Sequence, residues 1–135
     1  MYPVSFDAGS AAPQPKWSLF TDAERAAGWR VGGSQFNAVH QASGALYVVV
    51  HQGKADSHKD PGMQVWVYDI AKQKRQRMID LASHAASIAV TSDAAPLLIA
   101  TTLEVPAVSI YDAATGELKH VIEGGPMTPS FTQVR

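Results

Sequence analysis

The sequence predicts an all-β chain carrying about two four-stranded blades of a β-propeller, and three repeated features predict it. An apolar strand occurs twice, as Ala45-Leu46-Tyr47-Val48-Val49-Val50 and Pro96-Leu97-Leu98-Ile99-Ala100-Thr101. A following strand ends twice in Tyr-Asp, as Val65-Trp66-Val67-Tyr68-Asp69 and Val108-Ser109-Ile110-Tyr111-Asp112. A return strand repeats as Arg77-Met78-Ile79-Asp80 and His120-Val121-Ile122-Glu123. The Tyr-Asp pairs stand 43 residues apart, counted from 68 to 111, an interval that fits one four-stranded blade. Val, Ile and Tyr dominate these runs, as half-buried pleated surfaces favour. A small two-sheet sandwich is the alternative architecture.

In chain order, residues 7–16 are small, polar and proline-bearing, and 1–16 as a whole reads as a linker or loop. Residues 17–33 read as the end of a preceding blade, with Trp17-Ser18-Leu19-Phe20 as a short strand and 21–28 as one helical turn or a loop. Gly32-Gly33 then reads as a blade-end turn. Residues 34–83 form a blade with strands expected over 38–40, 46–50, 65–69 and 76–80. Its inner strand lies 51 residues before that of the next unit, counted from 46 to 97. The blade therefore carries an insertion, placed at 51–64. Residues 84–124 form the second blade, with strands over 88–91, 97–101, 108–112 and 118–122. The turn Asp112-Ala-Ala-Thr-Gly116 fits a hairpin closing through a left-handed glycine. Gln73 occupies the place of Gly116, so a looser turn is expected there. Gly124-Gly125 reads as another blade-end turn, and 125–135 as a C-terminal segment completing or closing a blade. Two blades and a fraction cannot close a ring, and bare edges and faces invite aggregation, so the remaining blades are expected elsewhere.

Composition excludes several classes. The 11 basic and 12 acidic side chains nearly balance, leaving no electrostatic footprint for nucleic acid. No apolar run approaches the ~20 residues that span a bilayer, so no membrane partner is expected. The chain has no cysteine, which removes disulfides, thiolate metal sites and cysteine nucleophiles. Residues 1–6 lack the basic and apolar regions of a signal peptide, so either export is not encoded or a signal lies upstream.

The insertion holds the densest chemistry. His51 and His58 with Asp56 and Asp60 superficially make a metal site, but the spacing fits no compact ligand pattern and Lys54 and Lys59 repel cations. Ser57, His58 and Asp60 name a triad, yet they are sequence neighbours, and a triad needs a fold to assemble it. Neither a Gly-x-Ser-x-Gly elbow nor a phosphate-binding glycine loop occurs. We therefore expect no catalytic, cofactor-binding or metal residues on this chain. The residues His51, Gly53, His58, Lys59, Asp60, Pro61 and Gly62 read instead as an ordered loop at a subunit or blade-top contact, with Asp60-Pro61-Gly62 as its tight turn. Trp66 reads as packing, at a place where Ser109 serves in the next blade. Trp17 and Trp29 read as core or rim, with Trp29 alternatively a partner contact, and His40, His84 and His120 as surface or rim residues.

From Gly32 to Gly124 the sequence resembles the heavy subunit of the quinoprotein amine dehydrogenases, and within them the C-terminal portion of the aromatic amine dehydrogenase heavy subunit. The residues that carry the resemblance are His51-Gln-Gly53, Ser57-His58-Lys59-Asp60-Pro61-Gly62 and Val65-Trp66-Val67-Tyr68-Asp69, with Gly32-Gly-Ser-Gln35, Ser87-Ile-Ala-Val90 and Ser109-Ile-Tyr-Asp112. The resemblance implies a seven-bladed propeller in a periplasmic complex of two heavy and two light subunits. It implies that tryptophan tryptophylquinone resides on the light subunit, which deaminates the amine, and that electrons pass to a blue copper protein such as azurin. The heavy subunit is then a non-catalytic scaffold. The alternative function is a generic propeller module that binds a protein or carbohydrate.

Overall fold

The computed structural model describes residues 4–7, 9–102 and 107–124. The expected closing segment 125–135, and with it Gly125, lies outside the described residues. Strands β1 (Val4–Asp7) and β2 (Ser10–Pro13) pair as a short antiparallel hairpin within the stretch expected to be linker. Every position of β2 is exposed, so backbone pairing forms this hairpin without the apolar alternation that a sequence could display. Helix α1 (Asp22–Ala26) is one turn, closed by a capping box in which Thr21 and Glu24 exchange side-chain and backbone hydrogen bonds.

The Trp17–Phe20 segment is not a strand. Its backbone carbonyls turn to side chains instead: Tyr68 Oη donates to the Leu19 carbonyl at 2.8 Å and Arg25 to that of Phe20. Strand β3 (Trp29–Val31) does not end a preceding blade; it pairs with the first described blade, Trp29 opposite Gln52 and Val31 opposite Val50.

That blade continues with β4 (Asn37–His40), β5 (Ala45–Gln52), β6 (Gly62–Asp69) and β7 (Lys74–Ala85). Both β3 and β4 pair with β5, one on each half of its length, so the first blade's inner edge is a strand interrupted at 32–36. The second blade is β8 (Ser87–Val90), β9 (Leu97–Thr102), β10 (Ala107–Asp112) and β11 (Leu118–Glu123), hydrogen-bonded in sequence order. All strand pairs are antiparallel, which places the β5–β6 loop at the same end as the β7–β8 junction, while the 32–36 interruption lies opposite Val49 within β5. The inner strands of the two blades meet through a parallel bridge, Gln35 to Ser87.

The repeat extends to irregularities. Each blade has a register shift just before its Tyr-Asp, between Val67 and Tyr68 and between Ile110 and Tyr111. In each following turn the aspartate accepts backbone N–H bonds, Asp69 from Lys72 and Asp112 from Ala114 and Thr115. Gln73 keeps the left-handed geometry of its glycine counterpart, with φ 52 against 81 at Gly116. The looser turn expected there does not occur, because Asp69 fixes its shape whatever residue follows.

Alternation along the strands gives each blade two faces. Val65, Val67 and Ile79 pack with Ile88, Leu98 and Tyr111 in the core between blades. On the other face of the first blade Leu46, Val48, Val50, Trp66 and Tyr68 are covered by Trp17, Leu19, Phe20 and Trp29. Burial on both faces explains why β5 reads as a continuous apolar run rather than an alternating one. Polar ties cross between the blades. Tyr47 Oη donates to the Ala113 carbonyl at 3.3 Å, with Arg77 donating to the same oxygen, and Ala82 N donates to Tyr111 Oη at 2.9 Å. His40 is buried rather than at the rim: its Nε2 meets the Asp93 carbonyl at 3.0 Å and its Nδ1 the Ser43 hydroxyl at 2.8 Å.

Candidate functional site

The expected contact loop is built on glycines. The Gly33 N–H donates to the Asp60 carbonyl at 2.8 Å, and Gly53 N–H to Gly28 O at 2.9 Å. A Cβ at Gly32 would fall within 3.0 Å of the Asp60 carbonyl and His51 Nδ1, one at Gly33 against the Ala86 carbonyl, and one at Gly62 against that of Val50. Gly33 is also left-handed, at φ 88. The pair read as a turn is therefore where the loop, the interrupted inner strand and the start of the second blade pack backbone on backbone. Ser34 N–H continues this contact to Ala86 O at 2.7 Å.

Within the loop His51 Nε2 lies 2.9 Å from Ser57 Oγ, which in turn donates to the Lys54 carbonyl at 2.6 Å. Asp60 N–H then bonds Ser57 O at 3.0 Å, completing a second turn. Because the Ser57 proton is directed at Lys54, Nε2 must be the donor to Ser57. Burial pushes the His51 imidazole below its usual range, the Asp60 charge opposes this, and Arg30 adds to it.

The structure does not assemble the sequence triad. Ser57 meets His51 instead of His58, and His58 is exposed. A serine whose hydroxyl proton is given to a carbonyl, beside an imidazole that is donating, has no base to activate it. Among the described residues no group of three or more His, Cys, Asp or Glu converges to hold a metal. Lys59 and His58 line one open cleft with Val31 and Phe36; His51, Asp60 and Pro61 line another, of about 440 Å³, with Trp29, Met63 and His84. Sequence reasoning did not bring Met63 and His84 to Trp29 here, since the three come from different strands and carry no shared spacing.

Two indoles do touch: Trp29 and Trp66 have ring centroids 4.9 Å apart. A quinone formed from them would have to be reachable by an amine. Trp66 is only 2% exposed, and the Arg75 guanidinium lies over it at 4.0 Å. The pair does not fit a reactive cofactor and serves as packing.

The family model for the methylamine dehydrogenase heavy chain (MADH) matches residues 2–133. The chain belongs to this family. It is 38% identical over 113 residues to the methylamine dehydrogenase heavy chain of Methylophilus methylotrophus, covering 84% of this chain and 28% of that one. Against the protein of the same name from Methylobacillus flagellatus the identity is 39% over 101 residues, 75% and 25% of the two chains. For Paracoccus versutus it is 41% over 97 residues, 72% and 23%. The chain thus spans about a quarter of the length of these curated relatives. Membership gives the observed sheets their architecture: they are blades of a β-propeller.

Proposed function

We propose that this chain is the blade-forming part of a non-catalytic heavy subunit in a quinoprotein amine dehydrogenase. One observation carries the reading, beside the family match. The faces of the second blade that correspond to the buried joint of the first are uncovered among the described residues. Ile79 is 3% exposed in that joint, whereas Ile122, 43 positions on, is 54% exposed, and Val108 and Ile110 beside it are only half-buried. A surface patterned to receive another blade belongs to a stacked scaffold, and the loop chemistry above supplies no activated nucleophile.

In this reading the heavy subunit works in the periplasm. It stacks its other blades on this face, holds the light subunit that carries tryptophan tryptophylquinone, and leaves electron delivery to a blue copper acceptor such as azurin. The overall likeness of the sequence to the aromatic amine dehydrogenase heavy subunit favours an aralkylamine as substrate, while the relatives named above carry methylamine in their names. The test is purification of the assembled complex from its source, followed by amine-dependent dye reduction with tyramine, phenylethylamine and methylamine. A quinone-bearing small subunit and turnover of the aromatic amines are expected. Turnover of methylamine alone would overturn the substrate. A propeller purified with no quinone-bearing partner would overturn the subunit role and favour a simple binding module.

A further inference from the structure

The His51–Ser57 contact has a proton inventory with a consequence. Ser57 Oγ gives its proton to Lys54 O, so His51 holds its single proton on Nε2. That leaves Nδ1 as a bare lone pair, buried and without a hydrogen-bond partner, pressed toward the Gly32 backbone. A second proton would make Nδ1 a buried, charged donor in a space that already excludes a methyl group. The Asp60 carbonyl near the same point already accepts from Gly33 N–H, so a proton at Nδ1 would have to share it.

We propose that His51 is an acid-sensitive latch: neutral, it holds the 53–61 loop closed on the Gly32–Gly33 junction, and protonated, it swings out and releases it. The groups facing it divide. Arg30, directly opposite on β3, disfavours the charge, while Asp60 on the loop favours it. His84 reaches the same cleft from β7, and Lys54 contributes only its carbonyl to Ser57. Burial leads and the balance lies toward the neutral ring. The sign follows. A histidine whose folded value is depressed stabilises the closed form fully above its ordinary pKa of about 6.5, and that contribution is lost as pH falls through the lowered value. Release frees one wall of the cleft that Trp29, Met63 and His84 complete.

The test is hydrogen exchange with mass-spectrometric readout on the assembled heavy subunit, following peptides across 53–61 from pH 7.5 to 5, with intrinsic rates divided out. Protection should hold near neutrality, fall by up to about tenfold per pH unit between the ordinary histidine value of about 6.5 and the lowered one, and level off below it. His51→Gln keeps a donor near the Nε2 position but cannot titrate, and should remain protected throughout. Should His51→Gln fail to assemble, Ser57→Ala takes its place, with low protection that does not change with pH. A flat wild-type profile would overturn the latch. So would an acid step that survives in His51→Gln, since the sensor would then be another group; in Ser57→Ala, protection at pH 7.5 equal to that of the unaltered chain would overturn it instead.

Discussion

Alanine at Gly33 tests a backbone-on-backbone contact that is also left-handed. Gly33 sits at φ 88, and a side-chain carbon there would lie within 3.0 Å of the Ala86 carbonyl oxygen. Ala86 cannot easily retreat, because its carbonyl accepts from Ser34 N at 2.7 Å and its own N–H donates to Thr101 O at 2.9 Å. Placing a Cβ in the left-handed region costs about 1–2 kcal/mol. Forcing an extra carbon into packed structure adds about 1–3 kcal/mol. The sum, about 2–5 kcal/mol, is a large part of the 5–15 kcal/mol that holds a typical domain. Two other glycines separate the terms. Gly44 is left-handed at φ 65 with nothing within 4 Å of its would-be Cβ, so Gly44→Ala should show the backbone cost alone. Gly32 is not left-handed but abuts Asp60 and His51, so Gly32→Ala should show mainly the steric cost. Urea midpoints of the assembled heavy subunit, compared at constant slope, give the three values. If Gly33→Ala costs no more than Gly44→Ala, the backbone-on-backbone junction is not the restraint described above.

Two further substitutions probe the repeat. Trp66→Ser installs the residue of the second blade in the first; it removes the ring that packs on Phe20 and Trp29 and should lower stability by about 3–5 kcal/mol in the same unfolding assay. Gln73→Gly relieves a left-handed glutamine at φ 52 and should raise stability by about 1 kcal/mol, read as a higher urea midpoint.

The strands β4 to β11 were legible because pairing and burial act at the same positions in both units, so a pattern of Val, Ile and Tyr recurs with the Tyr-Asp turn as its marker, whereas β3 was not. What escaped the sequence has separate physical causes. The β1–β2 hairpin buries none of β2's side chains, so it leaves no periodicity. Trp17-Ser-Leu-Phe20 has strand composition, but its side chains serve as a cover over Trp66 and Tyr68 while its carbonyls bond side chains. Burial pushes the Tyr68 phenol up to about 12, keeping it a neutral donor to Leu19. His40 shows no hydrophobic signal, yet it is buried because Asp93, 53 residues away, offers a carbonyl. At the loop, the sequence located the insertion, and the structure adds the hydrogen bonds of Ser57 to Lys54 and Asp60 within it. The side-chain partner of Ser57 was not legible, since His51 is brought to it by the fold rather than by adjacency.

Equivalence between blades also separates what a position is from what it does. Trp66 and Ser109 occupy the same register yet face different neighbours: the aromatic cover of the N-terminal segment in one case, the first blade's β-sheet in the other. Conversely, Val65 and Val108 are the same residue on the same face, one fully buried beneath the second blade and one half-buried. Side-chain identity at a blade face therefore tracks what stacks on that face more closely than it tracks the strand itself. Apolar surface removed from water contributes about 25 cal/mol per Å², so Val108, Ile110 and Ile122 have stabilisation still to gain from a neighbour of the kind that Val65, Val67 and Ile79 already have. A scaffold made this way draws rigidity from the stacking of successive faces, and the loops at its blade ends inherit that rigidity through glycine contacts such as Gly33 on Ala86.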